Sequence, residues 1–130
     1  MKVARLQDIQ ELKGEKFALW QLLNPATVGT KNLMLFLVAV DIGGCIPPHT
    51  HGPAEAIIYV LRGKGEFEVD GEKRILGADT GLSVPVGATI GLENKGRIPL
   101  RIMVAMSPPI SVEVCQVCGI MIPESQAQDL

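Results

Sequence analysis

Apolar residues along this chain come in short runs, cut at close intervals by glycine and proline. Phe17 to Leu23 forms the first run, and Asn24-Pro25 and Gly29 mark a turn after it. Asn32 to Ile42 is apolar and rich in β-branched or bulky residues, the pattern of a buried strand. Gly43-Gly44 breaks that run, and Pro47-Pro48 stiffens the next stretch in an extended form. Strand patterns follow at Ala56 to Arg62, Gly65 to Val69, Glu72 to Leu76, Leu82 to Val84, Thr89 to Glu93, Pro99 to Met106 and Ser111 to Val114. Asp70-Gly71 joins two of them with residues that tolerate positive φ, as a type I′ hairpin requires. Residues 1–16 are mixed and polar. Leu6, Ile9 and Leu12 there have helix-like spacing, so the segment reads as a short helix or an irregular arm. Many short strands at roughly 8–12-residue spacing predict an all-β fold, an antiparallel sandwich or barrel.

Composition narrows the class. With 130 residues the chain has the length of one domain, and 47% hydrophobic residues supply a core. A formal net charge of −2 argues against a nucleic-acid footprint or a polybasic membrane patch. The longest apolar run, Leu33 to Val40, is too short to span a membrane, and Met1 to Lys16 has no apolar signal-like core. Three cysteines are too few for a disulfide framework, so the expected compartment is the cytoplasm.

The candidate chemistry sits after the double proline. The only two histidines are His49 and His51, and two histidines placed at random would fall at i, i+2 in roughly 1.5% of cases. On a strand that spacing puts both on one face, where they can offer two nitrogens to one metal ion or hydrogen-bond locally near a turn. Glu55 is the candidate carboxylate ligand beside them. If the segment stays extended, Cys45 shares their face and becomes a candidate thiolate ligand.

These residues resemble a known family. Gly43 to Glu55, with His49-Thr50-His51 and then Glu55, is similar to the first cupin motif; Asp79, Pro85-Val86-Gly87, Ile90 and Asn94 follow the second. The hairpin around Asp70-Gly71 also fits, and the resemblance runs over residues 30–108. It implies an antiparallel double-sheet, jelly-roll-like β-barrel over one domain, residues 1–130, with a core at about 17–115 between an N-terminal arm and a C-terminal tail. It also implies a metal or small ligand in the barrel mouth and a homodimer. This sequence departs from the family at Ile90, which stands where the second motif has its histidine and cannot ligate. The offset between Glu55 and Gly63 also differs by one residue, and the usual glutamate slot falls on Ala56.

Two functions follow. In one, His49, His51 and Glu55 hold a divalent ion (iron, zinc, nickel or manganese), and the protein transforms a small polar molecule as a dioxygenase or isomerase would. In the other, the metal site is degenerate and the barrel only binds its ligand. Cys115 and Cys118 form a CxxC, which supplies half of a zinc site. Arg97 and Arg101 flank a strand start and are candidates for a ligand carboxylate, whereas Trp20 and Tyr59 read as core or interface packing.

Overall fold

The computed structural model describes residues 1–110, 112–114 and 121–123, the last two segments as backbone. A single 3-10 turn, Leu6–Asp8, is all the helix the arm forms, and it buries nothing. The strands are β1 (Leu12–Gly14), β2 (Phe17–Leu23), β3 (Met34–Val40), β4 (Cys45–Thr50), β5 (Glu55–Arg62), β6 (Lys64–Val69), β7 (Glu72–Gly77), β8 (Gly81–Val84), β9 (Thr89–Asn94), β10 (Leu100–Ser107), β11 (Val112–Val114) and β12 (Met121–Pro123). One helical turn, α1 (Pro25–Val28), stands where the sequence reads as a plain turn. Asn24 and Thr27 cap it reciprocally, each side chain accepting from the other's backbone N–H, and Gly29 ends it at φ 72°.

Two antiparallel sheets make the barrel. The larger runs β1-β2-β3-β10-β5-β8 and the smaller β4-β9-β6-β7; β11 and β12 pair separately. Strand alternation builds the core between the sheets. Met34, Phe36, Val38 and Val40 point inward from β3, as do Leu100, Ile102, Val104 and Met106 from β10. Ile46, Phe67, Ile90 and Leu92 answer them from the smaller sheet. The β6–β7 hairpin turns at Asp70 (φ 48°) and Gly71 (φ 87°), the geometry the Asp-Gly pair predicts. Asp70 also anchors the start of β9, its carboxylate accepting from the Thr89 N–H at 2.9 Å.

Asn94 ties the two sheets together. It is 4% exposed and fully bonded: its amide donates to the carbonyls of Val40 and Ile98 and accepts from the Gly96 N–H. Asp79 adopts φ 64° where the cupin motif has glycine, a conformation aspartate tolerates better than most residues. Among the described residues no helix is long and apolar enough to cross a membrane.

Candidate functional site

A β-bulge in β4 makes the site. Cys45 and Ile46 pair with Glu93 and Leu92 of β9, but the next pairs are His49 with Ile90 and Thr50 with Thr89. One extra residue of β4 therefore lies between Ile46 and His49, at Pro47-Pro48. A strand tolerates proline there because the bulge leaves an N–H without a ladder partner. Gly91 makes room on the opposite strand: a Cβ there would stand 2.9 Å from the Pro48 nitrogen and 3.1 Å from its Cα and Cδ.

The bulge resets the strand's parity. Ile46 and His49, three residues apart, both face the interior, as their cross-strand neighbours Leu92 and Ile90 do. Cys45 is consequently exposed on the outer face of the smaller sheet, near Glu66, Glu68 and Lys73. The expectation that Cys45 shares the histidines' face rests on an unbroken strand and does not hold.

His51 follows at the end of β4 and is 7% exposed. Its carbonyl accepts from the Ala54 N–H, and Gly52 takes φ 64° to turn the chain. The two imidazoles meet edge to face, with ring centroids 5.2 Å apart and planes at 66°. The Nδ1–H of His49 donates to the Pro47 carbonyl at 2.9 Å, which fixes the tautomer and leaves Nε2 with a bare lone pair. That Nε2 and the Nδ1 of His51 are both buried and have no hydrogen-bond partner among the described residues. Burial pushes the His51 pKa down to about 4, with help from the neighbouring ring. Burial lowers the His49 pKa as well, against a smaller opposing pull from the Pro47 carbonyl. Both rings are thus neutral at neutral pH, the form that ligates a metal or accepts a proton.

The rest of the expected ligand set is not brought to them. Glu55 is exposed on the outward face of β5, and its neighbour Ala56 takes the inward slot at 2% exposure. Alternation along a regular strand forces that outcome, because one residue's offset flips the face. Ile90 packs beside His49 at 2% exposure and adds no donor. Among the described residues no three His, Cys, Asp or Glu side chains cluster. Cys115 and Cys118 lie outside the described residues.

Among the described residues, a metal ion would find two ligands here, the imidazoles of His49 and His51. Imidazole nitrogens bind zinc at about 2.0–2.1 Å, which places two rings sharing one tetrahedral ion roughly 5 Å apart between centroids. The observed 5.2 Å meets that condition. The remaining coordination positions would fall to water or to a bound ligand.

The inner face continues away from the histidines. In register across the smaller sheet, His49 is followed by Ile90, Val69 and Glu72. Beyond Val69 a cavity of about 400 Å³ opens between the edge strands β7 and β8, with an apolar floor including Phe67 and Leu82 and with Glu72 and Arg74 at its rim. Those two are exposed and paired at 3.1 Å. The sequence marks Arg74 only weakly as a site residue. The available signal was its shared parity with half-buried Leu76 on β7. Arg101, a candidate for a ligand carboxylate, instead lies on the outer face of the larger sheet, level with Ala39 and Arg62.

Comparison with known proteins agrees with this architecture. The family model described as a cupin domain matches residues 36–106. The chain is 32% identical over 107 residues to the polyketide synthase CurC of Streptomyces cyaneus, a match that covers 80% of this chain and 70% of that protein. It is 30% identical over 87 residues to the tetracenomycin polyketide synthase protein TcmJ of Streptomyces glaucescens, covering 67% of this chain and 58% of that protein. The structure of KdgF from a Halomonas species superposes with a TM-score of 0.72 at 23% identity, over 84% of this chain and 94% of that one. The two-sheet barrel, the His-x-His on its bulged strand and the match across both motifs make this chain a member of the cupin family.

Proposed function

We propose that this chain is a small-molecule cupin in which His49 and His51 hold a divalent transition metal jointly with an oxygen-rich organic ligand. The observation that carries the reading is the pair of buried imidazole nitrogens, without a hydrogen-bond partner among the described residues, on neutral rings 5.2 Å apart. A buried polar atom left without a partner costs about 1–3 kcal/mol, so an arrangement that keeps two of them side by side is accounted for by a partner they share. The ion would act as a Lewis acid toward a ligand carbonyl or enol oxygen. The protein's own residues set the terms. The Pro47 carbonyl orients His49, burial keeps both rings unprotonated, and the apolar Ile90 side chain leaves coordination positions to the ligand. The ligand class is taken from CurC and TcmJ, both named for polyketide synthesis, and polyketide chemistry is rich in carbonyl and enol oxygens.

Ile90 favours a second reading, a metal-free pocket in which ligand hydroxyl groups donate directly to the two nitrogens. Elemental mass spectrometry on protein purified without a histidine tag separates the two. Near-stoichiometric metal that His49→Ala abolishes is the result expected of the first. Absence of metal in both proteins, after reconstitution with iron, zinc, nickel and manganese, would overturn it and leave the second.

A further inference from the structure

The barrel is open along one seam. β7 ends the smaller sheet and β8 ends the larger; only residues 78–80 connect them, and among the described residues no ladder joins them. Both inner-face rows of the smaller sheet finish in a charge at this seam. One runs Ile46, Leu92, Phe67, Arg74 and the other His49, Ile90, Val69, Glu72. Ile46, Leu92 and Phe67 are buried, so Arg74 is the first polar member of its row. Neighbouring strands lie about 4.7–4.9 Å apart, so three strand steps put β7 roughly 14 Å from β4, beyond reach of the imidazoles. The cavity of about 400 Å³ between β7 and β8 has buried Phe67 and half-buried Val69, Leu76 and Leu82 beneath it. That volume lies within the roughly 300–1,000 Å³ of small-molecule sites. Glu72 aims the guanidinium at its rim. The Glu72 carboxylate accepts from Arg74 Nε at 3.1 Å, which occupies one edge of the planar group. Among the described residues neither terminal nitrogen of Arg74, Nη1 or Nη2, has a partner.

We propose that this seam binds an apolar organic acid, its flat body lying over Phe67 and Leu82 and its carboxylate taking the two free Nη groups of Arg74. Charge complementarity selects the head of the ligand. A guanidinium presents paired N–H donors that match the two oxygens of a carboxylate, and such charge-assisted bonds are about twice as strong as neutral ones. The half-buried side chains select the body, because an apolar molecule laid on them removes from water the surface that the open seam leaves wet. Inward-pointing charges also keep an edge strand from pairing with another chain. That task asks only for charge. It asks neither for a cavity nor for a guanidinium held by one edge with the other free. The site shares no side chain with the histidines, so it stands whether or not they hold a metal.

Titration of the full chain with 2-naphthoate in the presence of chelator, followed through backbone amide NMR shifts, tests the site. Saturable shifts are expected in β7 and β8. The isosteric 2-naphthamide, which carries no charge, is expected to bind about tenfold or more weakly, the worth of a hydrogen bond to a charged group. Arg74→Gln, a change at an exposed position, is expected to lower the affinity for 2-naphthoate to that for the amide and to leave the affinity for the amide unchanged. A merely structural role of Arg74 would weaken both. His49→Ala is expected to bind 2-naphthoate as the wild type does. Absence of saturable shifts in β7 and β8 would overturn the proposal. So would shifts confined to β4 and β9, or equal affinity for acid and amide. A protein that binds the acid at the seam and takes up no metal would overturn the metal reading of the histidines and leave this site standing.

Discussion

Ile90→His tests whether the apolar residue beside His49 occupies a ligand position. Ile90 pairs directly with His49 across β4 and β9, points inward and is 2% exposed. Cross-strand neighbours stand with Cβ atoms about 4.5–5.5 Å apart, so an imidazole at 90 would border the existing pair. Without metal the change removes the burial of an isoleucine side chain, about 1.5–3 kcal/mol. It also buries a polar ring with no partner in sight, about 1–3 kcal/mol more. The variant should therefore be roughly 3–5 kcal/mol less stable than wild type, a Tm lower by about 10–20 °C for a domain of this size. Zinc at a hundredfold excess over its Kd stabilises a folded protein by about 2.7 kcal/mol. Thermal melts in chelator and in zinc would then show a larger metal-induced rise for Ile90→His than for wild type. Equal rises in the two proteins would refute the placement of position 90 at the site, and an unshifted Tm in chelator would refute its burial.

Two further expectations follow from the same strand pair. Gly91→Ala should push Pro48 away and move His49 with it, costing about 1–3 kcal/mol of stability as overpacking does and weakening zinc binding more than it weakens the fold; urea titrations beside zinc titrations would show whether the bulge depends on that glycine. In metal-free protein, acid should act through the histidines. The folded pKa of His51 is depressed to about 4 from an unfolded value near 6.5, so its contribution to stability is present above pH 6.5 and is lost as pH falls toward 4, by about 3 kcal/mol. His51→Gln should flatten that part of the stability curve in urea titrations at pH 7, 5.5 and 4.5, and an unchanged slope would contradict the burial of the ring.

What could be read from the sequence and what could not divide along a physical line. Short apolar runs and turn chemistry are local, so β3, β5, β10 and the Asp70-Gly71 hairpin are legible from neighbours in the chain. The spacing of His49 and His51 is equally local, and the two rings do meet. Parity through an irregularity is a different matter. The extra residue at Pro47-Pro48 exists because Gly91, more than forty positions away, admits it, and that pairing decides that Ile46 faces in while Cys45 faces out. Glu55 shows the converse: the one-residue offset between its spacing from His51 and its spacing from Gly63 was visible, and the regular strand β5 resolves it by turning Ala56 inward.

The chain places unusual residues on two separate surfaces. Inside the barrel, the anomaly is polar: neutral imidazoles with bare nitrogens in an apolar setting, where water is scarce and a shared partner has the most to offer. Outside the larger sheet, the anomaly is apolar: rows of large side chains where water should be met by polar ones. Each is unfavourable for an isolated chain, and a different kind of partner would relieve each. The two reliefs are also mechanically independent, because His49 and His51 belong to the smaller sheet and its end, while the apolar rows belong to the opposite face of the larger sheet. Ile57→Glu, a change at an exposed position on that outer face, should accordingly keep whatever metal the wild type holds. Loss of metal in that variant would mean that the two sheets transmit strain through the core between them.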